Sequence, residues 1–320
     1  MIVALGAFDG FHLGHASLFV RARELAYPSN LEWGAVTFDP HPGLFIGTME
    51  ATLFTSQERE LIRIFLGIPQ IVSLKFDEEL AHFSPPLFWE FLRGNVKIDG
   101  VVVGRDFRFG YRRTGDAALL EQYCLEAGVD FIAVDTLDYL GNKISSSSIR
   151  GHIESGDCEL AAKKLGYPYF FWAEVIRGQG RGKSLGFPTA NLNIPPQKLI
   201  PSDGVYAVGA LVNGHWRAGA LSIGKNPTFD DVPGVQVELF VLDYEGNLYE
   251  TSLPVFFLSR LRPQIRFDNT EQLVMQIDAD VKRARTTFRR SIATHTSWYT
   301  EFLIGYVEIL SKLGQGIPKS

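Results

Sequence analysis

Cysteine is scarce in this sequence: Cys124 and Cys158 are the only two among 320 residues, and they form no Cys-x-x-Cys or other metal-ligand spacing. That excludes a disulfide scaffold and a cysteine-based zinc site, and it makes the reduced cytoplasm the expected compartment. No uncharged apolar run approaches the roughly 18 residues of a membrane span. The apolar start, Met1 to Ala7, lacks the basic flank and the length of a signal peptide, so neither membrane insertion nor export is expected. Charge of one sign is also lacking: 31 Lys and Arg stand against 36 Asp and Glu, a net charge of -5. No broad basic field offers itself to a nucleic acid, and any bound polyanion is expected to be small. Repeats and low-complexity blocks are absent. What is present is 46% hydrophobic residues over a length sufficient for two ordinary cores, so two domains are expected. Oligomeric state is not legible at this level.

The first half alternates short apolar, β-branched runs with helical patterns. Strands are expected at Ile2 to Gly6, Trp33 to Phe38, Gln70 to Leu74, Gly100 to Val103 and Phe131 to Val134. Helices with 3.6-period apolar faces are expected at His15 to Ala26, Ser56 to Phe65, Pro86 to Arg93 and Asp116 to Glu126. This alternation is that of an α/β, doubly wound parallel sheet. Two short helical stretches, Ile149 to Ser155 and Asp157 to Leu165, then lead into a half rich in alternating strands: Ala173 to Arg177, Val205 to Val212, Trp216 to Ile223, Val237 to Asp243 and Leu253 to Leu258. Turn signals such as Asn213-Gly214 and Glu245-Gly246-Asn247 separate them. About six antiparallel strands of this length suit a small barrel. A helix from about Thr270 to Arg285 and a helical stretch around Trp298 to Leu313 close the chain.

Three groups in the first half carry chemistry. The loop Gly6-Ala7-Phe8-Asp9-Gly10-Phe11-His12-Leu13-Gly14-His15 follows an apolar strand and precedes a helix. Such a turn lets the backbone approach a phosphate, and the helix start offers unpaired N–H groups and a positive dipole end. Gly6, Phe8, Asp9 and Gly14 are candidate nucleotide contacts. His12 and His15, three apart, can both direct imidazole N–H groups at one oxyanion, as a pyrophosphate leaving group requires. The loop is neither GxGxxG nor GxxxxGK[ST], so neither a dinucleotide site nor a P-loop is indicated. The second group, Gly104 to Arg113, follows the fourth strand's carboxyl end and suits a flat ring with a phosphate. The third, Lys143 to Arg150, sets serine hydroxyls and a cation at another helix start.

In this order on a doubly wound sheet the three groups resemble the HxGH nucleotidyltransferases. More narrowly, Thr37-Phe38-Asp39-Pro40-His41-Pro42, Val102 to Gly110 and Ile144-Ser145-Ser146 resemble the adenylyltransferase half of the bacterial bifunctional riboflavin kinase/FMN adenylyltransferase (FAD synthetase) family. The resemblance implies in-line attack of the FMN phosphate on the α-phosphorus of ATP, catalysed by positioning and charge stabilisation. His12 and His15 would then hold the triphosphate, with Ser145, Ser146 and Arg150 bracketing it. Asp106, Phe107, Arg108 and Phe109 would line the flavin side. Ser147 stands where the family usually has Thr, and Ser148 where a basic residue is common.

The second half opens on Gly178, Gly180, Gly182 and Gly186 around Arg181 and Lys183, followed by Phe187-Pro188-Thr189-Ala190-Asn191. So dense a glycine run is costly to order unless the backbone bends around a guest, and phosphate is the expected one. Gly178, Gly180, Lys183 and Gly186 are the candidate nucleotide contacts. Thr189 and Asn191, two apart on a strand, present hard oxygens on one side, suited to Mg²⁺ bridging nucleotide phosphates. The order GxGxGxxxGFPTAN resembles the riboflavin kinase module, a six-stranded β-barrel, as do Gly224-Lys225-Asn226-Pro227-Thr228-Phe229 and Val237-Glu238-Leu239. That resemblance implies Glu238 as general base toward the ribityl 5′-hydroxyl. It also implies flavin contacts from Asn226 and from Arg262, the latter at the position of a flap. Phe240, Glu250 and Gln264 stand where the family often has His, Gly and Glu.

The expected partition is an adenylyltransferase domain over 1–165, a riboflavin kinase domain over 166–287, and a helical extension of unassigned role over 288–320. The expected substrates are riboflavin, FMN and ATP with Mg²⁺, and no nucleic acid or membrane partner is expected. Two alternatives stay open: a single-activity enzyme with one module retained for structure, and a flavin- or RNA-binding module without turnover. The latter would need basic and aromatic residues interleaved on one barrel face, a pattern the sequence does not show.

Overall fold

The computed structural model describes residues 1–178, 182, 185–224 and 235–295. By internal contacts the chain divides into two units: residues 1–53 with 62–148, and residues 54–61 with the chain from Ile149 onward.

In the first unit β1 (Ile2–Leu5), β2 (Trp33–Asp39), β3 (Ile71–Lys75), β4 (Gly100–Gly104) and β7 (Asp130–Val134) lie parallel in the order β3-β2-β1-β4-β7. Two short ribbons, β5 (Arg108–Phe109) with β6 (Gly115–Asp116) and β8 (Asp138–Tyr139) with β9 (Asn142–Lys143), follow the carboxyl ends of β4 and β7. The helices are α1 (Leu13–Ala26), α2 (Pro42–Phe45), α4 (Glu78–Ala81), α5 (Pro85–Asn95) and α6 (Ala117–Ala127), while α3 (Ser56–Phe65) has residues up to Leu61 in the second unit and the rest in the first. All of β1 is buried, and so is β4 up to Val103, because a strand covered on both faces must be apolar throughout. Val3, Leu5, Val36 and Phe38 of the sheet pack with Phe88, Trp89 and Leu92 of α5 and with Leu120 and Cys124 of α6. Each such large side chain contributes about 1.5–3 kcal/mol when removed from water. Helix α6 starts where the Asp116 carboxylate accepts from the N–H of Leu119 at 3.0 Å, and ends at Gly128 with φ of 66°. The five strands and four principal helices fall within two residues of the sequence expectation. Helix α1 begins earlier because the His12 side chain caps it. Strand order reverses between neighbours β1 and β4, which opens a crevice at their carboxyl ends.

The second unit is a closed barrel of six antiparallel strands in the order β10-β11-β14-β13-β12-β15. These are β10 (Phe170–Ile176), β11 (Ala190–Asn193), β12 (Gly204–Val212), β13 (His215–Gly224), β14 (Gln236–Val241) and β15 (Ser252–Arg262). Asn213 and Gly214, with φ of 50° and 76°, make the two-residue turn that joins β12 to β13. Strand β10 begins at Phe170, ahead of the expected Ala173, because Phe170 to Trp172 pair with Phe256 to Pro254 of β15. Strand β15 runs through Arg262 rather than stopping at Leu258, with two register shifts against β12. Before the barrel come α7 (Ser146–Ser155), which starts in the first unit, and α8 (Cys158–Leu165). After it comes α9 (Thr270–Thr294), capped by Asn269. This helix passes the expected end at Arg285 because Asp280, Ala284 and Phe288 continue one buried face at four-residue spacing. The expected helical stretch from Trp298 to Leu313 lies outside the described residues.

Phe54–Leu61 belongs to the second unit although the sheet strands flank it in sequence, and a buried charge explains its attachment. Thr55-Ser56-Gln57-Glu58 is a capping box: Glu58 Oε2 accepts from the N–H of Thr55 at 2.8 Å, and Thr55 Oγ1 accepts from the N–H of Glu58 at 3.3 Å. The same carboxylate accepts from the N–H of Trp172 on β10 at 2.8 Å and pairs with Lys198 Nζ at 2.9 Å. Both ion-pair side chains are fully buried. The ammonium lies 4.2 Å from the ring centre of Phe54 and 4.3 Å from that of Tyr169. Removing one member of such a pair strands the other charge, so Lys198→Met is expected to destabilise this unit by about 3–5 kcal/mol. Thermal unfolding should show the loss as a midpoint lower by about 10 °C; an unchanged midpoint would contradict it.

Candidate active sites

In the first unit the crevice is a cleft of ≈ 230 Å³. It is bordered by the loop after β1, the loop after β4, the segment after β7 and the start of α7. Gly6, Phe8, His12, Gly14, His15, Asp106, Phe107, Ser145 and Ser146 of the expected site all line it. The loop after β1 is strained: Phe8 and Phe11 have φ of 45° and 42°, a left-handed conformation that costs a bulky residue about 1–3 kcal/mol. Burial holds them there. Both rings are 1% exposed and stacked at 5.9 Å, and Phe8 meets His15 edge-on at 5.0 Å.

Asp9 and Ser146 lock the loop. Asp9 is buried, its carboxylate accepts from the N–H of Leu53 at 2.7 Å, and its carbonyl accepts from Ser146 Oγ at 2.6 Å. Among the described residues that line the cleft Asp9 is not found, so its carboxylate serves the scaffold. The imidazoles of His12 and His15 stack 3.6 Å apart and within 15° of parallel. His12 Nδ1 accepts from the N–H of His15 at 3.2 Å, which leaves the proton of the neutral ring on Nε2. A Cβ on Gly14 would lie 3.1 Å from the His12 ring, so a larger residue there would press on that imidazole.

Burial, partly opposed by a backbone hydrogen bond and Asp106, pushes His12 down to about 4. Burial, reinforced by His12 and His41, holds His15 well below its ordinary value. Two parallel, neutral imidazoles therefore face the cleft at physiological pH. Because folding depresses both values, the unfolded chain takes up protons below pH 6.5 that the native state refuses, and stability falls as pH drops from there toward 4. With histidine-labelled protein, the His12 and His15 ring resonances should stay flat between pH 8 and about 5.5; an inflection near 6.5 in either would refute their neutrality.

The first turn of α7 borders the same cleft. Ser145 Oγ accepts from the N–H of Ser148 at 3.2 Å, and Ser148 Oγ donates back to the Ser145 carbonyl at 3.0 Å, so Ser148 acts within the cap. Arg150 lies one turn further along α7, half-buried, in the part assigned to the second unit. Two helix starts facing one cleft make it receptive to anions. Arg108 and Phe109 are not brought into the cleft. Arg108 pairs with Asp116 at 2.9 Å, and Phe109 is a core side chain, 5% exposed, against Phe88. Lys143, the first residue of the third expected group, also lines the cleft, its ammonium paired with Asp106 at 2.5 Å, whereas sequence reasoning missed the segment Val134 to Leu137. The latter follows the carboxyl end of β7, the position rule that found the loop after β4.

In the second unit the even-numbered residues of β14 face outward while Val237, Leu239 and Val241 fill the barrel. Glu238 therefore lies on the outer face, in register with Asn191 of β11 on one side and Ser222 of β13 on the other. Phe240, two further on, packs edge-on against Phe187 at 5.5 Å. The backbone closes over the two oxygen-bearing side chains of the β11 end. A Cβ on Gly178 would collide with the Asn191 amide, and one on Gly182 would lie 3.2 Å from Thr189 Oγ1. Thr189 and Asn191 thus present hard oxygens beneath a glycine backbone, a donor set that fits Mg²⁺ shared with phosphates. Gly186 has φ of 84° at the turn before β11. Gly180, Lys183 and Asn226 lie outside the described residues. Arg262 ends β15 and is held by Asp280 of α9: Nε to Oδ2 is 2.8 Å, with both side chains largely buried.

A crevice at a sheet switch point with a neutral histidine pair, followed by a barrel presenting Thr, Asn and Glu on one outer face, defines a nucleotidyltransferase of the HxGH type joined to a phosphotransferase barrel. The FAD synthetase family model matches residues 1–148 and the riboflavin kinase model residues 165–288. The chain belongs to the bifunctional riboflavin kinase/FMN adenylyltransferase family. Its curated relatives of that name include those of Listeria monocytogenes (32% identical, covering 90% of this chain and 93% of the relative), Bacillus subtilis (34%; 88% and 91%) and Escherichia coli K12 (32%; 90% and 92%). A solved structure described as a macrolide-efflux protein from Streptococcus pneumoniae superposes with a TM-score of 0.81 at 30% identity, covering 89% of this chain and 93% of that one. Among the described residues of the present chain, no helix is long and apolar enough to cross a membrane.

Proposed function

We propose that this chain converts riboflavin to FAD by way of FMN, using ATP twice, and that the residues divide as follows. In the first unit an oxygen of the FMN phosphate attacks the α-phosphorus of ATP in line; the new P–O bond forms as the bond to the β-phosphate oxygen breaks, and pyrophosphate leaves. His12 and His15 donate to the departing oxygens as neutral dipoles, and the first turns of α1 and α7, with Ser145 and Ser146, hold the remaining charge. Gly6, Phe8 and Gly14 shape the nucleotide side, and Arg150 is a further candidate nucleotide contact. Asp106 and Phe107 border the flavin side, with Lys143 as the cation there. Asp9 supports the loop without contacting the nucleotide, and Arg108 and Phe109 support the hairpin. The observation that carries this reading is the buried, stacked, neutral histidine pair at the start of α1.

In the barrel, Glu238 takes the proton of the ribityl 5′-hydroxyl as that oxygen attacks the γ-phosphorus of ATP, with ADP leaving. Thr189 and Asn191 would hold Mg²⁺, which would supply positive charge toward the nucleotide phosphates. Gly178, Gly180, Lys183 and Gly186 cradle those phosphates, and Asn226 and Arg262 belong to the flavin side. The adenylyl-transfer module is assigned to 1–165 and the kinase to 166–287, with 288–320 left without a role. Both cysteines are free buried thiols, and we place the enzyme in the cytoplasm on its cysteine usage. The test is to incubate the purified chain with riboflavin, ATP and Mg²⁺ and separate the flavins. FMN followed by FAD is expected. FMN without FAD would remove the first activity, and FAD from supplied FMN but never from riboflavin would remove the second.

A further inference from the structure

Thr37 is buried on β2, 2% exposed, and is not among the residues that line the cleft. Its hydroxyl donates to the carbonyl of Ala7 at 3.0 Å. One residue back along the chain, the N–H of Gly6 donates to the carbonyl of Val36 at 3.1 Å, so the start of the loop is fastened to β2. Strand β1 has β2 on one side and β4 on the other, and the crevice opens between β1 and β4. A trans peptide is planar, with its N–H directed opposite to its C=O. With the Ala7 carbonyl drawn toward β2, the N–H of Phe8 is directed toward β4 and the cleft that Ala7 and Phe8 both line. Phe8 is 1% exposed, and its N–H has no hydrogen-bond partner among the described residues. A buried donor left so is costly unless a ligand completes it.

The chain does not choose this orientation by itself. Phe8 has φ of 45°, and turning the Ala7–Phe8 peptide over would carry that angle by half a turn into the extended region, where a bulky residue is unstrained. The same turn would take the carbonyl away from Thr37 and the N–H away from the cleft. The bond from Ser146 fixes the carbonyl of Asp9, two residues further on, and leaves this peptide to Thr37. We infer that Thr37 is a positioning residue for the cleft: its hydroxyl holds the Ala7–Phe8 peptide in the strained orientation that offers the Phe8 N–H to the nucleotide phosphates. The inference rests on the reading of the first unit as the adenylyl-transfer site. It gives the cleft a donor besides the histidine pair, held from a strand that the nucleotide does not touch.

Thr37→Val removes the hydroxyl and keeps the shape, whereas Thr37→Ser keeps the hydroxyl. The full-length variants are compared with wild type by inhibition of FAD formation from supplied FMN, with pyrophosphate as one inhibitor and adenosine as the other. FMN formation from riboflavin is the folding control. The inhibition constant of pyrophosphate should rise about tenfold in Thr37→Val, as for the loss of one hydrogen bond to a charged group. That of adenosine should not change, and Thr37→Ser should keep both wild-type values. An unchanged pyrophosphate constant in Thr37→Val, a rise shared equally by adenosine, or a rise that persists in Thr37→Ser would overturn the inference. A second measurement needs neither variant nor turnover. The pair Ala-Phe occurs once in the chain, at Ala7-Phe8, so isotope labels on alanine carbonyl carbons and phenylalanine amide nitrogens give one coupled signal. That signal should move and saturate as pyrophosphate is added to the wild type; a signal that stays in place overturns the inference even where Thr37→Val does not fold. A saturating signal in a wild type that makes no FAD removes the adenylyl-transfer reading and leaves the donor held by Thr37 in place.

Discussion

In His15→Ala, FAD formation from FMN should fall by about 10² to 10³ in kcat/KM, while riboflavin is still phosphorylated at the wild-type rate. The magnitude is that of removing one preorganised donor aimed at charge that develops in the transition state. His15 is suited to that part because its ring is buried, neutral and stacked on His12, so it pays little reorganisation when the pyrophosphate oxygens acquire charge. Its Nδ1 is buried without a hydrogen-bond partner among the described residues, an arrangement that costs stability unless a ligand completes it. ATP should accordingly bind more weakly to the variant as well. Because the substitution also opens space beside Phe8, the fold must be checked by near-ultraviolet circular dichroism, and the kinase rate serves as a second control. Loss of FMN production with FAD production intact would reverse the assignment of reactions to units.

Much of this site was legible because its parts are contiguous in sequence. Residues 6–15 form one loop, 104–107 follow one strand and 145–146 open one helix, so composition and position along the chain sufficed. The parallel sheet was legible for a similar reason: strands buried on both faces are uninterrupted apolar runs, as in Ile2 to Leu5. What was not legible depends on partners distant in sequence. Phe107 and Phe109 look alike as flavin-facing aromatics, yet the β5–β6 ribbon turns Phe109 into the core against Phe88 and leaves Phe107 at the cleft. Arg262 could be read as lying at the position of a flap, but its pairing with Asp280, on a separate helix, left no mark in the sequence around it. Lys198 has no local signal at all, since strands β3, β4 and β7 of the parallel sheet and β10 and β11 of the barrel all lie in sequence between it and the Glu58 carboxylate. The end of α9 was misplaced because the buried face continues through Phe288.

Glu238→Gln should abolish FMN formation from riboflavin, by about 10² to 10⁴ in kcat, and leave FAD formation from supplied FMN unchanged. The substitution is nearly isosteric, so Asn191 and Ser222 keep a side chain of the same length between them and the barrel, whose interior is Val237, Leu239 and Val241, is not disturbed. What is lost is the capacity to accept a proton. An alcohol of pKa far above neutrality attacks a phosphoryl group poorly unless its proton is taken as the new bond forms, and among the described residues Glu238 is the carboxylate in register beside Asn191. Binding should survive, because the amide can still meet a hydroxyl by hydrogen bond; KM for riboflavin is expected to change less than kcat. If KM rose with kcat preserved, Glu238 would be a binding group and the base would have to be sought elsewhere. With His15→Ala, the pair makes a complementation experiment: neither variant alone yields FAD from riboflavin, and a mixture of the two should do so, because free FMN made by one chain can be adenylylated by the other. A mixture that stays inactive would mean that FMN is not released between the two reactions.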